Sequence, residues 1–268
     1  MNSTTAFVVG GEGLVFRSTN TGLAWTEQAT PVQSVLFDVL FRDTSTGYAV
    51  GSIGVILRTT NGGTSWFEVP SGTTFNLFSV SFAGPEVGTV VGFRGTILRT
   101  TDGGENWNSQ TSSIQGFLRS VHLLSPDTGI AVGDEGVILK TTNGGGTWTT
   151  RDGDVTTALL DLVFVNGEEG LAVGDSGVIL QTLDAGETWT QRPSGVSASL
   201  WRIHSGYNMI TVVGSDGIIL RSSNGGLAWE DQANDAPGHL YGVSFGNADT
   251  GLVVGDGGTI LRTTTGGR

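Results

Sequence analysis

The sequence predicts an all-β fold, a β-propeller of four-stranded antiparallel blades forming one domain over residues 1–268. Three observations predict it: a unit of about 41 residues recurs from end to end, glycine supplies 44 of the 268 residues, and the apolar residues come in short runs broken by Gly, Asn, Asp and Thr. Helix interiors tolerate glycine poorly, and no run approaches the ~20 apolar residues of a membrane helix. The chain is therefore expected not to span a bilayer. Its formal net charge of −12 repels phosphate backbones and argues against a nucleic-acid partner. The first residues show no charged n-region, apolar h-region or cleavage site. That fits a cytoplasmic protein or a mature periplasmic, lumenal or extracellular domain, and the lack of cysteine fits either compartment.

The repeat reads V-G-x-x-G-x-I-L-R-T-T-N-G-G-x-x-W. Its first glycine falls at Gly10, Gly51, Gly92, Gly133, Gly174, Gly214 and Gly255, and its tryptophan at Trp25, Trp66, Trp107, Trp148, Trp189 and Trp229. Each unit holds four β-rich segments separated by turn residues. In the second, Leu36 to Phe41 is strand A, Tyr48 to Val50 is B, Val55 to Thr59 is C and Ser65 to Val69 is D. Tight glycine turns such as Gly51-Ser-Ile-Gly54 should join B to C, since hairpin loops that match strand twist need positive φ. A lone blade leaves two apolar faces exposed, so blades must stack to bury them. Seven B–C hairpins but six A and six D segments favour seven blades, the first lacking A and the last lacking D. Six complete blades, with Leu240 to Phe245 supplying the missing strand, is the alternative.

Between C and D runs Ser/Thr-x-Asn/Asp-x-Gly-x-x-Trp, for example Thr59, Asn61, Gly63 and Trp66. The amide or carboxylate is expected to take backbone N–H groups two residues on, the glycine to close the turn, and the tryptophan to cover it. This is a folding device rather than chemistry. The spacing resembles the Asp-box, or bacterial neuraminidase repeat, and the longer string is similar to the photosystem II stability and assembly factor family. The resemblance covers essentially the whole chain and implies a seven-bladed, non-enzymatic propeller that docks on a membrane-protein photosystem or its precursor. Because Asp-box propellers also include carbohydrate enzymes, a secreted carbohydrate-binding or glycoside-hydrolase-like protein with a glycan ligand is the alternative.

No catalytic constellation emerges. A sialidase would need three clustered arginines and a nucleophilic tyrosine, but the only tyrosines are Tyr48, Tyr207 and Tyr241. The acids gather in turns such as Gly133-Asp-Glu-Gly136 and read as a solvated rim. His122, His204 and His239 lack metal-ligand spacing, with the first two in the same slot of strand A, where a partly buried histidine is the expectation. Neither a cofactor motif nor a nucleophile elbow is present.

Arg17, Arg58, Arg99, Lys140, Arg221 and Arg262 repeat at one position of strand C, with Gln181 in the fifth copy. A structural ring, with each stem lying along a neighbouring blade, is expected rather than a cationic belt. Partner-binding candidates come instead from positions where the copies disagree. The residue after the strand-A leucine is Phe37, Phe78, Arg119, Leu160, Trp201 and Tyr241. Phe117, Arg119, Trp201, Arg202, His239 and Tyr241 are the candidates, near the D–A loops that in propellers share a face with the B–C turns. Aromatics with arginine are common interface anchors, so a protein partner is expected there.

Overall fold

The computed structural model describes residues 4–267. Its strands follow the repeat and make an all-β, seven-bladed propeller. Five sheets are four-stranded; the first and the last are three-stranded. Blade 1 comprises Ala6–Val9, Val15–Ser18 and Thr26–Gln28, which are strands B, C and D. Blade 2 comprises Leu36–Phe41, Gly47–Gly51, Ile56–Thr59 and Phe67–Glu68, strands A to D. In blades 3 to 7 strand A runs over Leu77–Ala83, Leu118–Leu123, Leu159–Phe164, Leu200–Gly206 and Leu240–Phe245. Leu240–Phe245 pairs antiparallel with Gly251–Gly255 of its own blade, which decides for seven blades over six.

The chain divides into two compact units, Met1–Ala131 with Leu139–Thr149, and Val132–Ile138 with Thr150–Arg268. In each, the core lies between sheets. Tyr48, Val50 and Ile56 of blade 2 pack with Leu77, Val80, Val90 and Leu98 of blade 3 in the first unit. In the second, Leu171, Val173 and Ile179 of blade 5 meet Leu200, Ile203 and Val212 of blade 6. Strand B is consequently buried along its whole length in blades 2, 4 and 5. Side chains also bond neighbouring A strands: Asp38 accepts from the Val80 N–H at 3.0 Å and Asp161 from the Ile203 N–H at 2.9 Å.

Two glycines of the repeat are set by geometry. The B–C turn of blade 2 places Ile53 and Gly54 at φ 58° and 75°, the pair of positive angles a type I′ turn requires. Gly51 has extended φ, and its role is close approach: a Cβ there would lie 2.2 Å from the Val35 carbonyl oxygen. That carbonyl accepts from the Ser52 N–H at 2.8 Å, tying the loop that enters strand A to the B–C turn. Among the described residues blade 1 has no strand A, and a Cβ at the matching Gly10 meets nothing.

The turn after strand C differs in one detail from the sequence expectation. Asn61 Oδ1 accepts from the N–H of Ser65, four residues on rather than two, at 3.0 Å. The Thr59 hydroxyl takes the amides of Asn61 and Gly63. The longer reach arises because that hydroxyl, two residues upstream, already occupies the near donors. Hydrogen bonds from Asn106 and Thr100 hold the equivalent Asp102 carboxyl down to about 2. Trp66 is buried and meets Phe41 edge-on at 5.7 Å. In blade 7, Thr263 still accepts from the amides of Thr265 and Gly267, so the hydroxyl half of the motif persists without its carboxamide.

His122 and His204 lie in strand A of blades 4 and 6. Burial pushes the His122 imidazole down to about 4 and lowers His204 as well. Such a group takes up a proton on unfolding, so its stabilising contribution is complete above about pH 6.5 and is lost as pH falls toward 4. For His122, stability should drop by up to about 2 kcal/mol between pH 7 and pH 5, and His204 should add to the fall in the same direction. His122→Gln should flatten part of that slope in urea titrations, and an unchanged slope contradicts the assignment. Gly51→Ala should cost about 3 kcal/mol through its clash with Val35, whereas Gly10→Ala should be within about 0.5 kcal/mol of wild type; thermal melts of the two variants check the pair.

Candidate functional site

The position after the strand-A leucine varies between copies for a structural reason. In blades 2, 3, 5, 6 and 7 the ladder between strands A and B shifts register there, pairing Leu36 with Gly51 and Asp38 with Val50 and skipping Phe37. A bulged residue is re-aimed out of the ladder. Phe37, Trp201 and Tyr241 are therefore 36%, 36% and 43% exposed, although the rest of strand A in these blades, Ser244 apart, is half-buried or buried.

In the first unit these side chains join an aromatic stripe. Phe37 meets Phe78 at 5.3 Å between ring centroids, Phe78 meets Phe117 at 5.7 Å, Phe117 meets Phe93 at 4.7 Å, and Phe93 meets Phe75 at 5.9 Å. Arg119 lies over Phe117 at 4.2 Å and over Phe78 at 5.4 Å, and Arg94 over Phe75 at 5.6 Å. The loops beneath are bonded together: the Phe93 N–H donates to the Asn76 carbonyl and the Gly95 N–H to the Gly116 carbonyl, each at 2.8 Å. Phe117 and Arg119 were legible in the sequence. Phe75, Phe93 and Arg94 were missed, and comparing the copies across the B–C turns as well as strand A would have found Phe93 and Arg94.

The second unit carries Trp201, Arg202, His239 and Tyr241. Trp201 meets Tyr241 edge-on at 5.7 Å and donates from Nε1 to the Ser215 hydroxyl at 2.9 Å. His239 Nδ1 accepts from the Asp216 N–H at 3.2 Å, and the His239 N–H donates to Asp256 at 3.0 Å. Bonds from His239 and Tyr241 lower the Asp256 carboxyl, while desolvation and this carboxylate raise the Tyr241 phenol. Arg202 points elsewhere, 3.8 Å from the Asp161 carboxylate that links blades 5 and 6.

The repeated strand-C position reaches toward the following blade. Arg99 Nη2 donates to the Pro126 carbonyl at 2.7 Å, and Gln181 Nε2 to the Gly225 carbonyl at 2.9 Å. Lys140 and Arg221 are buried, and Arg58 lies over Phe67 at 5.8 Å. Arg17 and Arg262 occupy the same slot in blades 1 and 7. Tyr48, fully buried, donates to the Gly103 carbonyl at 2.6 Å and stacks on Phe82, so it is unavailable as a nucleophile. Among the described residues no group of three His, Asp or Glu side chains is placed to hold a metal ion.

Residues 17–116 and 107–196 match the model of the family described as photosynthesis system II assembly factor YCF48. The fold is similar to a solved structure of YCF48 bound to D1 peptide, with TM-score 0.79 and 21% identity over 98% of this chain and 91% of that one. YCF48 from Cyanidioschyzon merolae gives 0.76 and 21% over 97% and 91%. An ancestral GH74 enzyme gives 0.71 and 18% over 94% of this chain and 42% of that one. No curated protein sequence matches the chain. At these identities the structural likenesses speak for the fold, and the sequence match speaks for the family: the chain belongs to the photosynthesis system II assembly factor YCF48 family.

Proposed function

We propose that this propeller is a non-catalytic scaffold that docks a protein partner, a subunit of a membrane-protein photosystem or its precursor, on the face formed by its D–A loops and B–C turns. One observation carries the reading. Blade-to-blade variation concentrates large aromatic and cationic side chains at the strand-A bulge and the B–C turn tip, while the bonds that build each blade repeat. Family membership supports it, as does the D1 peptide held by a YCF48 of the same fold. The candidates divide into two patches by chemistry: Phe117 and Arg119 belong to an arginine-bearing stripe, and Trp201, His239 and Tyr241 to a wall holding Asp216 and Asp256.

A glycan-binding reading draws on the second patch alone, where an exposed Trp201 stands near carboxylates that could accept from sugar hydroxyls. Incubation of the tagged protein with solubilised membranes of its native host should recover subunits of a photosystem or of another large membrane complex. Recovery of none, together with hydrolysis of β-glucans or sialosides by the purified chain, overturns the scaffold reading. A glycan-array signal abolished by Trp201→Ala would replace it with the lectin-like one.

A further inference from the structure

The turns between strands C and D differ in how they use one backbone amide. Thr21, Gly62, Gly103, Gly144, Ala185 and Gly266 each follow the Asn, Asp or Thr of their box. Each N–H donates to a carbonyl in the segment before strand B of its own blade, that of Thr4, Ser45, Glu86, Asp127, Glu168 or Asp249, at 2.7–2.9 Å. The matching amide of blade 6, Gly225, has no partner among the described residues. The cause is the one repeat that is a residue short, from Gly174 to Gly214. In that blade the ladder between strands A and B runs on to Gly206 and Met209 and closes in a two-residue turn, with Tyr207 and Asn208 at φ 56° and 60°. No carbonyl of the shortened loop accepts from Gly225.

Gly225 follows an asparagine, and a glycine amide, with no Cβ to hinder it, is well suited to attack the preceding side chain. Asn-Gly occurs at Asn61, Asn143, Asn166 and Asn224. In blades 2 and 4 both ends of that reaction are tied. The Gly62 and Gly144 amides are bonded as above, and Nδ2 of Asn61 and of Asn143 donates to the Ser65 and Thr147 hydroxyls at 2.9 and 3.1 Å. Blade 6 has Ala228 in that hydroxyl slot, so neither the nucleophile nor the leaving group is held. Only the oxygen is: Asn224 Oδ1 accepts from the Ser222 hydroxyl at 2.8 Å and the Ala228 N–H at 2.9 Å. Donors so placed stabilise the negative charge that forms on this oxygen when Cγ is attacked. Asn224 is exposed, and the cleft of about 220 Å³ that it lines with Ala228 and Glu230 admits water.

We propose that Asn224 is a site of spontaneous covalent modification, at which the free Gly225 amide converts the asparagine to aspartate and isoaspartate. The Gly225 nitrogen gives its proton to solvent and bonds to Asn224 Cγ; the Cγ–Nδ2 bond then breaks, and Nδ2 leaves as ammonia with a proton from water. Water opens the resulting succinimide at either ring carbonyl. The balance is asparagine plus water giving aspartate or isoaspartate plus ammonia, with no oxidant or enzyme required. The two products differ for the fold. Aspartate is what Asp102 and Asp184 already supply in blades 3 and 5, with the same amides bonded. Isoaspartate lengthens the main chain by a methylene between Ser222 and Ala228 and pulls the box of blade 6 out of register. This site is independent of the docking reading, which neither supports it nor depends on it.

The test is ageing of the purified chain in mildly alkaline buffer, with deamidation followed at each Asn-Gly by peptide mapping in a mass spectrometer and isoaspartate counted by an isoaspartyl methyltransferase. Asn224 should react about tenfold faster than Asn61 and Asn143, which corresponds to about 1.4 kcal/mol, the size of one hydrogen bond. Asn166, in the exposed loop of blade 5, is the reference for an Asn-Gly outside a box. In urea the preference for Asn224 over Asn61 and Asn143 should vanish. Two variants restore the missing partners with sequence the repeat already uses. Replacing residues 206–209 by residues 124–128 gives blade 6 the loop whose Asp127 carbonyl holds Gly144, and Ala228→Thr returns the hydroxyl that Thr147 provides. Each should slow reaction at Asn224 several-fold and leave Asn166 unchanged; if the loop exchange lowers the melting temperature, Ala228→Thr decides. Equal rates at Asn61, Asn143 and Asn224 in the folded chain, a preference for Asn224 that persists in urea, or Ala228→Thr reacting as fast as wild type overturns the proposal.

Discussion

A blade of this chain cannot cover itself, and the rest of the structure follows from that. Its sheet is apolar on both faces, so the side chains of strands B and C are sheltered only when another sheet lies against each face. Fully burying a Leu, Ile or Val stabilises by about 1.5–3 kcal/mol, and the cluster joining Tyr48, Val50 and Ile56 to Leu77, Val80 and Leu98 gathers many such increments. Packing alone would leave sheets free to slide. Register is added by polar groups that reach to the next blade: Asp38 to the Val80 amide, Tyr48 to the Gly103 carbonyl and Arg99 to the Pro126 carbonyl.

This dependence separates folding from recognition. The framework uses backbone groups, small hydroxyls, one carboxamide or carboxylate and two placed glycines per repeat, and none of these is large enough to grip a partner. Two positions are left outside it, the bulge in strand A and the tip of the B–C turn, and both project to solvent. Substitution there does not disturb the interblade core, so one blade can carry Phe93 and Arg94 where another carries Asp134 and Glu135. The positive φ at the tip is common to all seven turns, so the cost of a non-glycine residue there, about 1 kcal/mol, is no special burden on blade 3.

Electrostatics sharpens the separation. In an acidic chain, Arg42 and Arg151 pair with Asp43 and Glu187, Arg99 caps a carbonyl, Arg192 bonds Gln181 and Arg202 faces Asp161. Those heads are committed to the framework. Arg94 lies over the Phe75 ring, and Arg119 over those of Phe78 and Phe117. The second patch is built from the opposite charge, with Asp216 and Asp256 around His239 and Tyr241, so the two patches differ in charge even though similar repeat positions supply them.

Much of this fold is legible in the sequence. Strand A of blade 2 spans the predicted Leu36–Phe41, and the count of B–C hairpins equals the count of blades, because glycine turns and box residues specify local geometry wherever they occur. The disagreement between copies pointed to Phe117, Arg119, Trp201 and Tyr241 because a repeat carries its own internal reference. Tertiary structure alone decided which of these meet: Arg202 turns to Asp161, and Phe75, Phe93 and Arg94, far from Phe37 along the chain, close into one stripe with it. The physical reason is that a repeat encodes each blade through contacts within some 41 residues. The exposed aromatic stripe is assembled from bulges, loops and turn tips of different blades, whose proximity is set by how the sheets pack.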